Sequence, residues 1–527
     1  MVAVLALKPG HDGAIALVAD GELVYSLEGE KDSFERNGPI TAPLVVEALS
    51  EAPAFPDVIA IGGWHKLLPG LVHGVAAGYE GLSPGRLAPA RAFGRDVLGY
   101  ASSHERSHLY GGVALSPFDP ERELAILVWE GTIGAFYRWR GPRAPIERFD
   151  VLDQPGARYA ALHCLAEPAF PDSGGWPPPS AAGKLMALVG LADDQPPSTD
   201  SVHVVESLLK LRSLYPFHKA RFRQSALHDC GVTAPELCRA ARHLSTRLFG
   251  IYLDAARRLF TPGLPLIVTG GCGLNCDWNR SWREDSPFGD VFVPPVANDS
   301  GSAIGTAVDA AVQHGADCRI TWDVYRGAPF VHDADPQVRG WVCGPLDCAA
   351  LSGVLDDGYV VAWAQGRCEI GPRALGNRSL LATASDPRSH ERLNAIKKRE
   401  PYRPIAPVCL EDDLSEWFDI ADPDPFMLLF RKVRQPDRIP AVTHVDGTAR
   451  VQSVTAASHP GLHALLSAHR ARTGVGVLCN TSLNFSGKGF VNRTSELLHF
   501  ADQAGIDHVV LDDIWYRRAH LRGTDGR

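Results

Sequence analysis

The sequence has 527 residues, a length that predicts two to four domains, each with its own hydrophobic core. A net charge of −9 and a pI near 6.1 argue against the basic surface that nucleic-acid binding usually needs. The 11 cysteines follow no paired spacing, which favours reduced thiols, and neither a signal peptide nor a membrane span is recognisable. We therefore expect a cytoplasmic globular enzyme that binds neither nucleic acid nor membrane.

Short apolar strands joined by glycine-bearing turns occur twice near the start of the chain. Strands are predicted at Val2–Leu7, Ala14–Val18 and Glu22–Leu27, and again at Leu124–Trp129 and Ala135–Trp139. A strand, a glycine loop and a second strand that recur in this way are typical of a duplicated nucleotide-handling fold, although the repeat is short.

The rest of the chain alternates predicted helices with predicted strands. Residues 203–260 carry helical periodicity, and Gly183-Lys184 opens an earlier apolar helix. The region from Cys318 to Gly340 lacks periodicity and is interpreted as a domain boundary. Both halves are therefore predicted to be α/β. The other buried strands that we expect are Leu266–Gly271, Val291–Val296, Tyr359–Ala364, Val475–Cys479 and His508–Leu511.

Two histidines lie four residues apart in His104-Glu-Arg-Ser-His108, on one face of a predicted helix. Glu130 after a strand and Asp299 before a helix could complete a metal site, which would suit iron or zinc better than magnesium. The motif also fits the H-E-x-x-H pattern of zinc proteases, with Glu105 as the base. A surface histidine pair, a turn carboxylate at Glu130 and a helix cap at Asp299 are the alternatives without a metal.

The loop Gly10-His11-Asp12-Gly13 joins the first two predicted strands. Its backbone N–H groups could approach a phosphate, and His11, beside Asp12, could act as a base near neutral pH. A tight turn that carries a solvated histidine is the alternative.

Two other features could contact a nucleotide. Lys184 at a helix start suits an anion, although a surface lysine is nearly as plausible. Gly270 and Gly271, followed by Asn275, resemble a turn that contacts adenosine, because glycine lets the backbone lie against a flat base. No G-x-x-x-x-G-K-[ST] sequence occurs, so a P-loop is excluded.

Cations are concentrated near the C-terminal end of this acidic protein. Between Arg367 and Arg403 there are nine Lys/Arg and four acids, bracketed by turns. This pattern indicates a pocket for a small, highly charged anion such as a phosphate, with a solvated basic face as the alternative. Asn480, Thr481, Ser482 and Asn484 are expected to add neutral donors where a strand ends. The cationic side chains assigned to the pocket are Lys397, Arg399, Arg403 and Arg450.

Ten motifs, in order, resemble those of the O-carbamoyltransferases of antibiotic and nodulation-factor biosynthesis, and the resemblance runs from the first strand to about Asn492. The motifs are GHDGA, HERSH, VWEG, GKLMAL, VTGGCGLN, NDSGSAIG, GRCEIGPRALGNRS, KKREPYRPIAP, HVDGTARVQ and CNTSLNFSGKG. The resemblance implies two α/β domains. Residues 1–325 would form a Kae1-like domain of the actin/Hsp70/sugar-kinase type with a metal, and residues 340–527 a YrdC/Sua5-like domain.

The resemblance also implies a reaction in two steps. Carbamoyl phosphate and ATP form carbamoyl adenylate in the YrdC-like domain, with release of pyrophosphate. The Kae1-like domain then transfers the carbamoyl group to a hydroxyl of a small-molecule acceptor and releases AMP. Iron(II) is the metal expected in the first domain, and Mg²⁺ could accompany ATP.

The family roles fall on residues of this chain that match the motifs. The metal ligands would be His104, His108, Glu130 and Asp299, with Glu130 standing where some relatives carry Asp. The carbamoyl phosphate and ATP phosphates would be bound by Lys397, Arg399, Arg403, Arg450, Asn480 and Ser482, with Arg373 nearby. The adenylate would contact Gly270, Gly271 and Asn275, and His11 would be the base on the acceptor hydroxyl.

Alternative functions are a threonylcarbamoyl-adenylate enzyme that acts on tRNA, a nucleotide-binding regulator with the same fold, and a zinc protease. The acidic charge argues against tRNA, and the intact metal and phosphate motifs argue against a regulator. The acceptor is less defined. The opening motifs resemble those of cephem hydroxymethyl carbamoyltransferases, and a sugar hydroxyl on a macrolide is the second candidate.

Overall fold

The computed structural model describes residues 2–63, 78–419 and 422–519. These residues group by their contacts into two compact units. The first unit comprises Met1–Ser107 with Ser300–Arg527, and the second comprises His108–Asp299. The sequence predicts a different division, by fold type, into residues 1–325 and residues 340–527. That division stays a prediction.

The N-terminal part of the first unit contains a six-stranded sheet with the order β3-β2-β1-β4-β6-β5. Its central strand β1 pairs antiparallel with β2 and parallel with β4. The elements of this part are β1 Ala3–Lys8, β2 Ala14–Ala19, β3 Glu22–Glu28, α1 Gly29–Ser33, α2 Ala42–Glu51, β4 Val58–Gly62, β5 Ala88–Ala92, β6 Arg95–Ser102 and α3 His104–Leu115, the last of which crosses the boundary between the units.

The second unit contains a five-stranded sheet with the order β11-β10-β7-β8-β9. The buried rings of Trp129, Tyr252, Trp278 and Trp282 pack together and form much of its core. Its elements are β7 Leu124–Trp129, β8 Gly134–Trp139, β9 Glu147–Asp150, α4 Pro155–Ala166, α5 Pro179–Val189, α6 Thr199–Lys210, α7 Pro235–Leu259, β10 Leu266–Thr269, α8 Cys276–Asp285 and β11 Val291–Phe292.

The C-terminal part of the first unit contains an eight-stranded sheet with the order β12-β21-β20-β13-β14-β19-β15-β18. Alternate residues of its strands enter two different cores, as the two faces of a sheet require: Val477 belongs to one core and Leu478 to the other. Its elements are α9 Ser302–His314, β12 Trp341–Pro345, α10 Cys348–Asp356, β13 Val361–Ala364, β14 Arg378–Thr383, α11 Pro387–Ile396, β15 Ala406–Leu410, α12 Leu414–Trp417, β16 Arg431–Lys432, β17 Thr448–Ala449, β18 Gln452–Val454, α13 Pro460–Thr473, β19 Val477–Ser482, α14 Thr494–Ala504, β20 His508–Leu511 and β21 Ile514–Arg518.

The predicted α/β class is confirmed, and strands overlap the predicted N-terminal and C-terminal strand segments. Two predictions were too long. The helical periodicity predicted for residues 203–260 is wrong over residues 211–234, where Lys219–Phe222 forms a short 3₁₀ turn and Pro216 and Gly231 interrupt the pattern. The strand at Val291–Val296 ends at Phe292, because the two prolines that follow at positions 294 and 295 cannot donate ladder hydrogen bonds.

Two details of local placement also differ. Helix α5 begins at Pro179, where proline suits the first turn, so Gly183 and Lys184 lie inside the helix and do not open it. Asn480 and Ser482 lie within β19 and do not follow its end. Within the described residues, no helix combines the length and apolar composition needed to cross a bilayer.

Candidate metal centre and cationic site

Helix α3 carries two histidines one turn apart, and their imidazoles lie with two carboxylates in one buried cluster. One ligand atom from each of His104, His108, Glu130 and Asp299 lies within 4.8 Å of the other three. The His108 Nε2 is 3.4 Å from Asp299 Oδ1 and 3.8 Å from Glu130 Oε2. The sequence therefore predicted a group of side chains that the fold does bring together.

Neighbouring atoms orient these ligands. The Nδ1 of His108 lies 3.2 Å from the Thr269 hydroxyl, which leaves Nε2 directed toward the carboxylates. The Ile133 N–H donates to Glu130 Oε1 at 3.2 Å, so a tight turn after β7 fixes this carboxylate. Two imidazoles and two carboxylates close enough to share one ion fit a divalent transition metal.

Glu105, the residue between the two histidines that a protease would use as its base, has a structural role. Its side chain is buried and its Oε2 accepts a hydrogen bond of 2.7 Å from the Gly81 N–H. A general base must reach the water that it activates, and this carboxylate is committed to the backbone. The geometry therefore argues against the zinc-protease reading.

The loop that carries His11 is held by a second loop of the same unit. The N–H groups of Asp12 and Gly13 donate to the carbonyls of Asn37 and Gly38, at 3.0 and 2.9 Å. The sequence analysis expected backbone N–H groups of this loop to approach a phosphate, but these two are already bonded to carbonyl oxygens. The His11 side chain is about half exposed, and its Nδ1 lies 3.6 Å from Asp12 Oδ2, so it keeps the access that a base requires.

In the Gly270-Gly271 turn, the backbone conformation and the close packing explain why the first residue is glycine. Gly270 has φ +92°, and a Cβ there would lie 2.5 Å from the Trp129 carbonyl oxygen. Nothing lies within 4 Å of a Cβ on Gly271, so only this second glycine presents an open face. The Asn275 side-chain oxygen caps α8 by accepting from the N–H groups of Asp277 and Trp278. Contacts of these residues and of Lys184 with a nucleotide stay predictions.

Strand β19 is the centre of the cationic site predicted in the C-terminal half. Asn480 Nδ2 donates to Gln452 Oε1 at 2.8 Å and to the Ala374 carbonyl at 3.3 Å, which brings the loop that carries Arg373 beside the strand. The Oδ1 of Asn480 is buried and has no hydrogen-bond donor among the described residues. Gln452 follows Arg450 by two residues at the start of β18, and β15 joins β18 to β19.

The arginines of this site have few partners of their own. Arg399 donates to the Thr481 hydroxyl at 3.3 Å, and burial, with the nearby charge of Arg403, lowers the pKa of Arg399 to about 10. Within residues 2–63, 78–419 and 422–519, the guanidinium groups of Arg403 and Arg450 make no hydrogen bond or ion pair, and Arg450 Nε is buried. Guanidinium groups that make no ion pair of their own suit an incoming anion.

Lys397 differs from these arginines because the protein already surrounds its ammonium group with oxygens. Its Nζ donates to the Ser482 carbonyl at 2.6 Å, to the Asn484 carbonyl at 2.8 Å and to Asn484 Oδ1. Burial and the charge of Arg399 lower its pKa well below the usual value. The contacts favour a role in shaping the turn after β19 rather than direct binding of phosphate.

Lys397→Met tests this structural role. The substitution removes the ammonium group that bridges the Ser482 carbonyl and both oxygens of Asn484, and we expect the turn to lose about 2 kcal/mol of local stability. Amide hydrogen exchange in β19 should then accelerate about thirtyfold. Lys398→Met, which changes the exposed neighbour, is the control. Equal exchange rates in the two variants would contradict the role.

Sequence reasoning missed a second set of residues that shapes the site. Glu369 is fully buried, and its Oε1 accepts from the N–H groups of Leu375, Asn377 and Arg378, so one carboxylate folds the loop around Arg373. Glu369 lies within the motif GRCEIGPRALGNRS. An acidic residue inside an otherwise basic motif is the feature of the sequence that could have indicated this structural role.

Helix α1 of the N-terminal part contacts the same loop. Lys31 Nζ donates to the carbonyls of Glu369 at 2.5 Å and Gly371 at 2.9 Å, and Glu28 Oε1 accepts from the Gly371 N–H at 2.7 Å. More than 330 residues separate these partners in sequence, so no local pattern could have indicated the contact. The side chains of Glu28 and Lys31 therefore connect the N-terminal sheet to the loop that contains Arg373.

The buried His and carboxylate cluster and the cationic site are features that suit a group-transfer enzyme, and the comparisons specify the group. The family description "Carbamoyltransferase C-terminus" matches residues 352–518, and "Carbamoyltransferase N-terminus" matches residues 260–308. The chain is 50% identical, over 98% of its length and 99% of the relative, to 3'-hydroxymethylcephem-O-carbamoyltransferase of Streptomyces clavuligerus. It is 48% identical, over 98% and 99%, to the enzyme of the same name in Amycolatopsis lactamdurans.

A more distant relative is Nodulation protein U of Sinorhizobium fredii, 34% identical over 98% of this chain and 99% of its own. The chain belongs to the carbamoyltransferase family and is an O-carbamoyltransferase, which confirms the predicted resemblance. Among solved structures, full-length HypF in a phosphate- and nucleotide-bound form is matched over 60% of this chain and 56% of its own, with 12% identity and a TM-score of 0.33. That score is too low to assign a shared fold.

Proposed function

We propose that this protein is an ATP-dependent carbamoyltransferase that modifies the hydroxymethyl group of a cephem antibiotic precursor in the cytoplasm. The observation that carries the proposal is that the guanidinium groups of Arg403 and Arg450 make no ion pair with a carboxylate among the described residues, while the buried Oδ1 of Asn480 in the same region lacks a donor. Arginines suit the phosphates of carbamoyl phosphate and ATP, and Asn480 Oδ1 suits the NH₂ of a carbamoyl group. The cephem acceptor is supported by the names of the two most similar relatives described above.

The proposed chemistry has two stages, assigned to a YrdC-like region at residues 340–527 and a Kae1-like region at residues 1–325. Carbamoyl phosphate already contains one phosphate, so balanced formation of carbamoyl adenylate consumes one water and releases both inorganic phosphate and pyrophosphate. Water first splits carbamoyl phosphate into carbamate and phosphate. A carbamate oxygen then attacks the α-phosphorus of ATP, with Mg²⁺ as the usual companion of its phosphates.

In this proposal, Arg399, Arg403 and Arg450 neutralise the charge that develops on the phosphates, and Arg373 lies in the neighbouring loop. Lys397 holds the turn that contains Ser482 and Asn484. Preorganised cations of this kind stabilise a phosphoryl-transfer transition state more effectively than water does, because they need no reorganisation.

The second stage transfers the carbamoyl group from the adenylate to the acceptor. The acceptor hydroxyl forms a bond to the carbamoyl carbon, AMP leaves with the bridging oxygen, and His11 takes the hydroxyl proton. His104, His108, Glu130 and Asp299 would hold the metal, for which we propose iron(II). When bound, such an ion supplies a Lewis acid that polarises the carbonyl or phosphoryl oxygen of the mixed anhydride.

The proposal predicts the products that form when the acceptor is left out. Protein mixed with ATP and carbamoyl phosphate should release pyrophosphate and inorganic phosphate in equal amounts, because both leave for each adenylate formed. The 3'-O-carbamoylated cephem and AMP should appear only after a 3'-hydroxymethylcephem is added. Coupled assays for the two phosphates, with chromatography of the cephem, measure this. Pyrophosphate release that needs no carbamoyl phosphate would contradict the proposal.

A further inference from the structure

An aromatic pair of one exposed ring and one partly buried ring lies beside the candidate metal cluster in the second unit. Trp176 is 72% exposed, and its ring centroid is 5.0 Å from that of Tyr215, with 35° between the ring planes. The hydroxyl of Tyr215 lies close to the metal cluster, because a Cβ on Gly131, the residue after Glu130, would be 3.2 Å from it.

The phenol of Tyr215 is the polar end of this aromatic pair, and a phenol hydroxyl can donate a hydrogen bond. Its hydroxyl makes no hydrogen bond within the described residues, so it is available to a ligand.

The exposed indole is carried by a backbone that is held at several points. Gly175 and Phe217 exchange two backbone hydrogen bonds, of 3.1 and 2.8 Å. At the base of the loop, the buried Lys219 ammonium donates to the carbonyls of Glu167 at 2.7 Å and Phe170 at 3.2 Å. A large apolar ring exposed on a fixed backbone, beside a polar cluster, is typical of a preformed ligand surface.

From this arrangement we infer that Trp176 and Tyr215 form the binding platform for the acceptor, a rigid cephem ring system whose hydroxymethyl group is directed toward the metal cluster. The inference rests on the proposed function and adds specificity-determining residues to it. The indole packs against the fused rings, and the Tyr215 hydroxyl donates to an oxygen of the acceptor.

A binding experiment without ATP or carbamoyl phosphate tests the platform independently of the chemistry. The probe is a 3'-hydroxymethylcephem, titrated by calorimetry into the metal-loaded protein. We expect Trp176→Ala to weaken the affinity about tenfold and Trp176→Phe to restore most of it, because the phenyl ring can still stack. Tyr215→Phe, which removes only the hydroxyl, should weaken the affinity about fivefold. Phe93→Ala, at another exposed aromatic residue, should leave it unchanged.

Steady-state kinetics add a readout that a general structural defect would not give. In Trp176→Ala, the KM for the cephem should rise about tenfold, while kcat and acceptor-independent pyrophosphate release stay within about twofold. Equal cephem affinity in wild type and Trp176→Ala would overturn the inference. So would binding of methyl glucoside in place of the cephem. If wild type binds the cephem through Trp176 but releases no pyrophosphate, the proposed function fails and the platform stands.

Discussion

His108→Ala is expected to remove the bound metal and to lower carbamoyl transfer by at least about 100-fold, while pyrophosphate release in the absence of acceptor continues. His108 Nε2 lies within 3.8 Å of both carboxylates of the cluster, so its loss leaves the ion one imidazole short. Changing even the outer partners of a metal site costs 10–100-fold in affinity or activity, so loss of a direct ligand should cost at least as much. Metal content measured by mass spectrometry and transfer measured by chromatography give the two readouts.

Glu105→Gln is the matched control, because this residue lies on the same helix between the two histidines. Glutamine keeps an oxygen that can accept from the Gly81 N–H, so the local fold and the metal should be retained. Transfer activity close to that of wild type is expected. If Glu105→Gln abolished activity while His108→Ala preserved it, the metal assignment would be wrong and Glu105 would need a direct chemical role.

Sequence reasoning could find the metal cluster because helical spacing made two of its ligands visible. His104 and His108 are one turn apart in α3, which is a local property. Glu130 and Asp299 could be named only because each lies at the end of a predicted element and matches a family motif. The resemblance therefore supplied the long-range part of the prediction.

The errors and omissions have physical causes that a single sequence does not reveal. Hydrophobic periodicity cannot separate α6 from α7 when the intervening loop is also apolar in places, and the loop contains Tyr215. The contact of Lys31 with Glu369 joins distant parts of the chain, and so does the backbone bridge between Phe217 and Gly175, the residue before the exposed Trp176. These features arise from tertiary packing.

Arg403→Ala is expected to lower acceptor-independent pyrophosphate release by about 10- to 100-fold without destabilising the protein. A charge-assisted hydrogen bond to a phosphate contributes about 1.5–3 kcal/mol, and each 1.36 kcal/mol is a factor of ten in rate. The guanidinium has no partner among the described residues, so its removal breaks no internal bond. It also relieves repulsion with Arg399, whose pKa Arg403 helps to lower.

The combination of lost activity with an unchanged or higher melting temperature separates ligand binding from structure. A residue that supported the fold would lose both together. Arg388→Ala, in the same region, removes an exposed arginine that pairs with Asp386 and should change neither the rate nor the melting temperature appreciably. Arg403→Lys should keep part of the rate, since it retains the charge but not the planar fork. A drop in melting temperature with normal pyrophosphate release would show that Arg403 serves the fold, and that the anion binds elsewhere.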